Sequence, residues 1–294
     1  MAIVWLTLAA DVERLRLAQE TLKNQQSAYE LNRRTHELGA ASGLTLAQAQ
    51  TTVDAARVEV ARYTSQIALD RNALELLAGT ALPDALLPAA SLDAASLMPD
   101  VPAGLPSEVL QRRPDVLAAE HLLRASNASI GAARAAFFPR ILLTAAAGIV
   151  SPALAGLVGG GSGVWSFIPQ ITQPIFDAGR NRAGPDATRA QRDIDLATYE
   201  RTLQVAFREA ADALAQRGAL GEQLAAQQSP TAATTRVFDL SNALFKAGAN
   251  DYLQVLDAQR ALYSAQQTSI TMRLAEQTNR INLYKVLGGG WRPA

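Results

Sequence analysis

Apolar positions along this chain recur in alternating steps of three and four through several long stretches. The most regular stretch covers residues 46–77. Leu46, Ala49, Val53, Ala56, Val60, Tyr63, Ile67, Leu74 and Leu77 keep the step, and only Asp70 interrupts it. This is a heptad seam, and its small residues permit close antiparallel packing of helices. At 1.5 Å per residue such a helix extends roughly 50 Å. A second seam takes Leu196, Tyr199, Leu203, Ala206, Ala210, Ala213, Leu220 and Leu224. A third starts Val255, Ala258, Leu262, Ala265 and continues less strictly through Met272 to Leu283 and Val286. The first helix is looser, with Leu8, Leu15, Leu22 and Tyr29 seven apart and Leu31 and Leu38 on a neighbouring stripe.

Two short loops interrupt these helices in the same way: LGAASGLTLAQAQ at 38–50 and AGANDYLQVLDAQ at 247–259. Superposing Gly39 on Gly248 matches Ala40 with Ala249, Leu44 with Leu253, Ala49 with Ala258 and Gln50 with Gln259. Glycine there lets the chain take φ > 0 and reverse between helices. Downstream, NALELLAG (72–79) resembles NLYKVLGG (282–289), shifted by one residue. The pattern predicts a duplication of about 210 residues built on helix–turn–helix hairpins.

One segment breaks the helical pattern. Between Arg140 and Asp177 lie 36 residues without a charge. Pro152, Pro169 and Pro174, with several glycines, exclude a pair of transmembrane helices. Two strands fit better. Ile141, Leu143, Ala145, Ala147 and Ile149 make one face of the first. In the second, Trp165, Phe167, Ile171 and Ile175 make an apolar face while Ser166, Gln170 and Thr172 point away. Such alternation over about ten residues per strand is the weak signature of a membrane β-barrel. SPALAGLVGGGSG (151–163) reads as an exposed loop between them. Phe137, Phe138, Trp165, Phe167 and Phe176, near strand ends, suit interfacial aromatic girdles. Periodicity alone leaves open a β-hairpin on a soluble core. Two strands cannot close a barrel, and open edges are not tolerated in lipid, so closure requires several subunits. A repeat of this strand pair would fall before Met1.

Composition narrows the function classes. In 294 residues, 27 Lys+Arg balance 27 Asp+Glu, so no whole-chain field favours nucleic acid. Alanine is one residue in five, with 58 copies, which suits helices in close approach. The absence of cysteine excludes disulfides, thiolate metal sites, a Cys nucleophile and a lipidated Cys within this chain. With two His, a His-rich metal centre is nearly excluded as well. No nucleophile–base–orienter set appears, so no enzyme and no cofactor is expected. The opening MAIVWLTLAA has no basic region before it and runs straight into an amphipathic pattern, as though the chain begins partway through a helix.

Three motifs carry a family resemblance: GLPSEVLQRRPDVLAAEHLLRASNASIGAARAAFFP (104–139), GSGVWSFIPQITQPIFDAG (161–179) and NLYKVLGGGW (282–291). They resemble the outer-membrane efflux channel family, the channel-tunnel component of tripartite multidrug pumps of the resistance-nodulation-division type. The resemblance covers nearly the whole chain and the last two-thirds or so of one family subunit. It implies a mainly α protein with a small β part: long antiparallel coiled-coil hairpins plus one strand pair of a trimeric, twelve-stranded membrane β-barrel. On this reading the chain is N-terminally truncated, and the first strand pair, signal peptide and any lipidated Cys lie upstream. Residues 1–79 become the periplasmic hairpin of the first repeat and 80–108 an equatorial linker. Residues 109–136 form a periplasmic helix, 137–178 two outer-membrane strands, 179–287 the hairpin of the second repeat, and 288–294 a tail.

The resemblance also implies sites. Leu253 and Asp257 fall where a periplasmic gate constricts, Arg260 lies one turn on, and Phe245 stands where Tyr is usual. Gly39, Ala40, Ser42 and Leu44, with Gly248, Ala249 and Leu253, match the tips that meet a periplasmic membrane-fusion adaptor. Thr45 and Ala47 depart from positions where charges are common, and Arg140 stands where a small polar residue is expected. Implied partners are two further copies, the adaptor, an inner-membrane transporter and outer-membrane lipid, with no nucleic acid. The implied role is a passive exit duct for drugs or other small toxic compounds. A type I secretion channel and a soluble trimeric coiled-coil scaffold are the competing readings.

Several motifs read as architecture. QRRPD (111–115) resembles a helix start, with Pro114 in the first turn and Asp115 near the positive end of the dipole. GAARAAFFP (131–139) resembles a helix-to-strand transition. The glycine run 159–161 lacks the Lys of a phosphate loop. His36 and His121 are expected at the surface or in packing. Pro185 and Pro230 fall inside the predicted long helix, where each is expected to kink it, with Pro230 marking a local break.

Overall fold

The structure, a computed structural model, describes residues 1–88, 92, 107–150, 152–154 and 163–289. Its helices are α1 (Ala2–Glu37), α2 (Gly43–Ala78), α3 (Pro114–Ala135), α4 (Arg180–Lys246) and α5 (Tyr252–Val286). Between α3 and α4 lie strands β1 (Arg140–Ile149) and β2 (Gly163–Thr172). The fold is therefore mainly α with one antiparallel strand pair. Most of the expected 151–163 loop, most of the 80–108 linker and the last residues of the 288–294 tail lie outside the described residues. The chain divides into two units, Met1–Pro106 with Arg208–Ala294, and Ser107–Phe207.

In the first unit α1 and α2 form an antiparallel hairpin along the predicted seam. Ala49, Val53, Ala56, Tyr63 and Leu74 are buried, Leu46, Val60 and Ile67 half-buried, and only Leu77 at the end is exposed. A polar contact fixes the register at mid-height, where Thr52 Oγ1 donates to Gln25 Oε1 at 2.7 Å. Helix α5 runs beside α1, with Ala9, Ala10 and Ile270 in one apolar cluster and Arg273 paired with Glu13. The later half of α4 closes on α5, where Asn279 Nδ2 donates to the carbonyl of Ala213 at 3.1 Å. On the part of α4 in this unit the second seam buries Ala210 and Ala213.

Contrary to the sequence expectation, Pro230 marks no break. Helix α4 continues unbroken through both Pro185 and Pro230 to Lys246. A threonine follows Pro185 by three residues and Pro230 by four. Thr188 Oγ1 donates to the Pro185 carbonyl and Thr234 Oγ1 to the Pro230 carbonyl, both at 2.9 Å. The N–H that each proline lacks would have met the carbonyl four residues earlier, so these hydroxyl bonds brace the turn that follows and do not replace the lost one.

In the second unit α3 begins where the QRRPD motif suggested, with Pro114 in its first turn. Ser107–Arg112 is a 3-10 segment, and α3 starts at Pro114. The residue before a proline avoids the α region, and Arg113 is extended at φ −63° and ψ 135°. Asp115 is held chiefly by Arg113, whose Nε and Nη2 donate to its two oxygens at 3.0 and 2.7 Å. That fork, more than the helix dipole, holds the Asp115 carboxyl below the usual range.

The two strands pair antiparallel from Arg140↔Thr172 to Ile149↔Gly163. This register puts Ile141, Leu143, Ala145, Ala147 and Ile149 opposite Ile171, Pro169, Phe167, Trp165 and Gly163. Residues directly opposite share a face, so one side of the hairpin carries no polar side chain. The other side pairs Arg140 with Thr172, Leu142 with Gln170, Thr144 with Ile168 and Ala146 with Ser166. Both expected faces are present. Ile175 is the exception: β2 ends at Thr172, so Ile175 lies beyond the strand and is 97% exposed.

Candidate functional site

The helix reversals carry the residues expected to dock and to gate. At the first, Gly39 N–H donates to the His36 carbonyl at 2.9 Å and Ala40 N–H to the Thr35 carbonyl at 2.8 Å. At the second, Gly248 N–H donates to the Phe245 carbonyl at 2.9 Å and Ala249 N–H to the Leu244 carbonyl at 2.9 Å. These are the paired 6→1 and 5→2 bonds of one capping motif, which needs a left-handed residue after the last helical turn. The glycines supply it at φ 76° and 73°. A Cβ at either would meet nothing within 4 Å, so backbone conformation and not crowding selects glycine. The open space leaves both tips accessible to another helix end.

The next helices also start in step, at Gly43 and Tyr252, behind caps Ser42 and Asp251. Ser42 Oγ accepts from Thr45 N–H at 3.1 Å, whereas Asp251 makes no such bond with its side chain. Thr45 therefore works with Ser42 in starting α2. Leu44 and Leu253 project at equivalent places and are 69% and 45% exposed. His36 braces the first tip through Nδ1, which lies 2.8 Å from the Ala41 carbonyl and so carries the proton. Helix α2 ends on Gly79 at φ 72°, and α5 on Leu287 followed by Gly288 at φ 86°. Gly79 and Gly288 are as far apart in sequence as the two turn glycines. The last helical residues, Ala78 and Val286, are one residue closer than that spacing, so α5 is one residue shorter than α2.

Of the expected gate residues, three share a surface and one does not. Leu253, Asp257 and Arg260 lie four and three residues apart on one exposed stripe of α5. Asp257 and Arg260 are 3.8 Å apart and about two-thirds exposed, so within one chain their attraction is heavily screened. Phe245 turns inward instead. Its ring lies 5.3 Å from that of Tyr252, against a cluster of Ala49, Tyr252, Val255 and Leu256. Tyr252 is buried, and burial pushes its hydroxyl pKa up.

Above the tips, α1, α2 and α5 line an open cavity of ≈ 260 Å³ that includes Gln25, Thr52, Glu59, Arg260 and Tyr263. Burial, then the charge of Glu59, pushes the Tyr263 hydroxyl up to about 12. Tyr263 therefore stays a neutral donor, while Gln267 Nε2 donates to its oxygen at 3.0 Å. Heptad spacing assigned these positions to a face but gave no sign of the polar network between helices.

The aromatic residues split between the ends of the strand pair. Phe137 and Phe138 precede β1, and Phe176 follows β2 at the same end. Trp165 lies near the opposite end, facing Ala147. Phe167 faces Ala145 in the middle of β2, so it is mid-strand and not near an end as expected. Ten residues per strand span roughly 33 Å, comparable to a bilayer's hydrocarbon core. Among the described residues no helix is long and apolar enough to cross a membrane, and no three His, Cys, Asp or Glu gather as a metal site.

The family model described as Outer membrane efflux protein matches residues 4–80 and 105–289. The chain is 48% identical over 291 residues to the toluene efflux pump outer membrane protein TtgC of Pseudomonas putida, covering 99% of this chain and 60% of that protein. It is 42% identical over 281 residues to the cation efflux system protein CusC of Escherichia coli, covering 95% of this chain and 60% of that one. Among solved structures, the open-state MtrE outer membrane channel of Neisseria gonorrhoeae superposes with a TM-score of 0.82 at 37% identity. That match covers 98% of this chain and 65% of MtrE. The chain thus spans about 60% of the length of the curated relatives it matches.

Proposed function

The chain belongs to the outer membrane efflux protein family, and we propose that it is the larger part of an outer-membrane exit duct of a tripartite efflux pump. The duct passively conducts small toxic compounds across the periplasm and outer membrane. The observation that carries this reading is the register of β1 on β2, which collects every apolar side chain of one parity onto one face. A two-stranded sheet with two open edges and an apolar face ten residues long is suited to a barrel completed by other strands. Three copies of the whole subunit, each adding a second strand pair to this one, provide that closure, with lipid against the Ile141 face and water against the Gln170 face.

The helical hairpins then form the periplasmic tunnel. Leu253, Asp257 and Arg260, on one exposed stripe, face their copies around the axis, where three carboxylates repel one another and arginines hold the closed state. Phe245 supports this stripe from inside the hairpin. The tips at Gly39, Ala40, Ser42 and Leu44 and at Gly248 and Ala249 receive a membrane-fusion adaptor, since small residues let another helix end come close. The energy comes from an inner-membrane transporter of the resistance-nodulation-division type, and the chain performs no chemistry of its own. TtgC is named for toluene and CusC for cations; the greater identity to TtgC favours small apolar compounds as cargo.

A chimera tests the proposal. Residues 1–294 replace the matching segment of TtgC in a host lacking its own efflux duct. Restored solvent tolerance together with outer-membrane trimers is the expected result. Correctly assembled trimers without tolerance would refute the conduit, and absence from the outer membrane would refute the barrel.

A further inference from the structure

The one interruption of the α2 seam is not solvated. Asp70 is 7% exposed, and Asp11, which faces it from α1, is 4% exposed. The two acids differ in their partners. Asp11 has a cation, with Arg14 Nη1 at 2.8 Å, and Arg14 is anchored in turn by Nη2 donating to Thr271 Oγ1 of α5 at 2.9 Å. Asp70 has none. Its Oδ1 accepts from Gln66 Nε2 at 3.1 Å, and its Oδ2 is buried without a hydrogen-bond partner.

An ionised Asp70 would keep a desolvated, unpaired oxygen beside a second carboxylate, an arrangement that folded proteins avoid. A protonated Asp70 instead has an O–H to give, and the Asp11 carboxylate is the acceptor in reach. The other groups around the pair do not neutralise Asp70. They line an open polar cavity of ≈ 520 Å³, with Arg14 from α1, Arg62, Tyr63 and Gln66 from α2, and Gln267 and Thr271 from α5. Arg62 is engaged elsewhere, 3.1 Å from Glu59 and lying over the Tyr63 ring. The nearby Glu13 is likewise engaged, pairing with Arg273 of α5.

We propose that Asp11 and Asp70 form a proton-binding site: one proton on Asp70 Oδ2, shared with Asp11, latches α1 to α2, and its loss loosens the hairpin. The proton passes from Asp70 to Asp11, which lines the cavity, and from there to water; it returns the same way, with no other bond made or broken. A metal cation is the poorer occupant, because the Arg14 guanidinium already neutralises Asp11 and repels a second positive charge. Burial raises the Asp70 pKa most, Gln66 opposes this, and the hydrogen bond and charge of Asp11 raise it further. A carboxyl raised in the fold stabilises below its unfolded pKa, and that contribution is lost as pH rises through the raised value.

The experiment is an infrared pH titration of the full chain in detergent, alongside urea unfolding followed by helical circular dichroism. The expected result is a protonated-carboxyl band that persists after surface Asp and Glu ionise and then disappears, with the unfolding midpoint falling over the same interval. Asp70→Asn, whose amide can donate to Asp11 and accept from Gln66, should lack that band and flatten that fall. Asp11→Asn should keep the band but move its loss to lower pH. The proposal is overturned if the band is missing in the wild type or persists in Asp70→Asn, if the midpoint profile is the same in both, or if Asp11→Asn leaves the band's titration unmoved. It is also overturned if, at fixed pH and ionic strength, the midpoint follows sodium concentration.

Discussion

Gly39 and Gly248 hold the same left-handed backbone, φ 76° and 73°, in two turns with matching hydrogen bonds. Each turn sets the separation and exit angle of its pair of helices. Alanine at either position must take φ > 0 at a cost of about 1 kcal/mol. The neighbouring space is open, so nothing adds to that strain. We expect Gly39→Ala and Gly248→Ala each to lower stability by this amount in urea unfolding. Hydrogen exchange should quicken first at residues 38–42 and 247–251, respectively.

Phe245 is expected to act through packing. Its ring packs tilted against that of Tyr252 but remains partly exposed, so Phe245→Ala should cost about 2 kcal/mol, below the ~3–5 of a fully buried ring. Phe245→Tyr, with its hydroxyl at the exposed edge, should unfold within about 0.5 kcal/mol of the wild type. Equal destabilisation by both would show that the ring contact is unimportant.

Asp257 separates gating from stability. Its contact with Arg260 is long and exposed, so Asp257→Ala should change unfolding by less than about 0.5 kcal/mol. In the TtgC chimera the same substitution should raise single-channel conductance in planar bilayers, because it removes three carboxylates from the proposed constriction. Unchanged conductance would take Asp257 out of the gate.

Asp115 carries a pH dependence opposite to that of Asp70. Arg113 holds its carboxyl low, so its contribution is present above the unfolded pKa and lost as pH falls through the folded value. Asp115→Asn should therefore be less stable than the wild type at neutral pH, with the difference closing in acid. A difference that persists at the acid end would point to packing in place of charge.

The parts of this architecture legible in sequence are those set by local repetition. Steps of three and four marked the α2 seam that buries Ala49, Val53 and Ala56, and alternation marked the faces of β1 and β2. Gly39 and Gly248 announced their turns because few other residues tolerate that backbone. Pairing between helices was not legible. Asp70 read as a gap in the seam because period assigns a residue to a face without naming what stands opposite, and only the fold brings Asp11 there. Phe245 was placed in the gate by the family resemblance, but its side-chain direction depends on packing against Tyr252. Pro230 read as a break, although the helix passes through it with nearby threonine hydroxyls bonded back to the preceding turn.

The absence of cysteine makes the most direct test clean, since each introduced thiol is the only one in the chain. In the TtgC chimera, with any TtgC cysteines removed, single cysteines at Leu143, Thr144, Ala145, Ala146 and Ala147 would carry a spin label. Collision with oxygen, which concentrates in lipid, would be compared with collision with a water-soluble nickel chelate. The account predicts an alternation of period two: 143, 145 and 147 meet oxygen, while 144 and 146 meet the chelate. Chelate access at 143, 145 and 147, or no alternation at all, would contradict a strand pair that lays its Ile141 face against lipid.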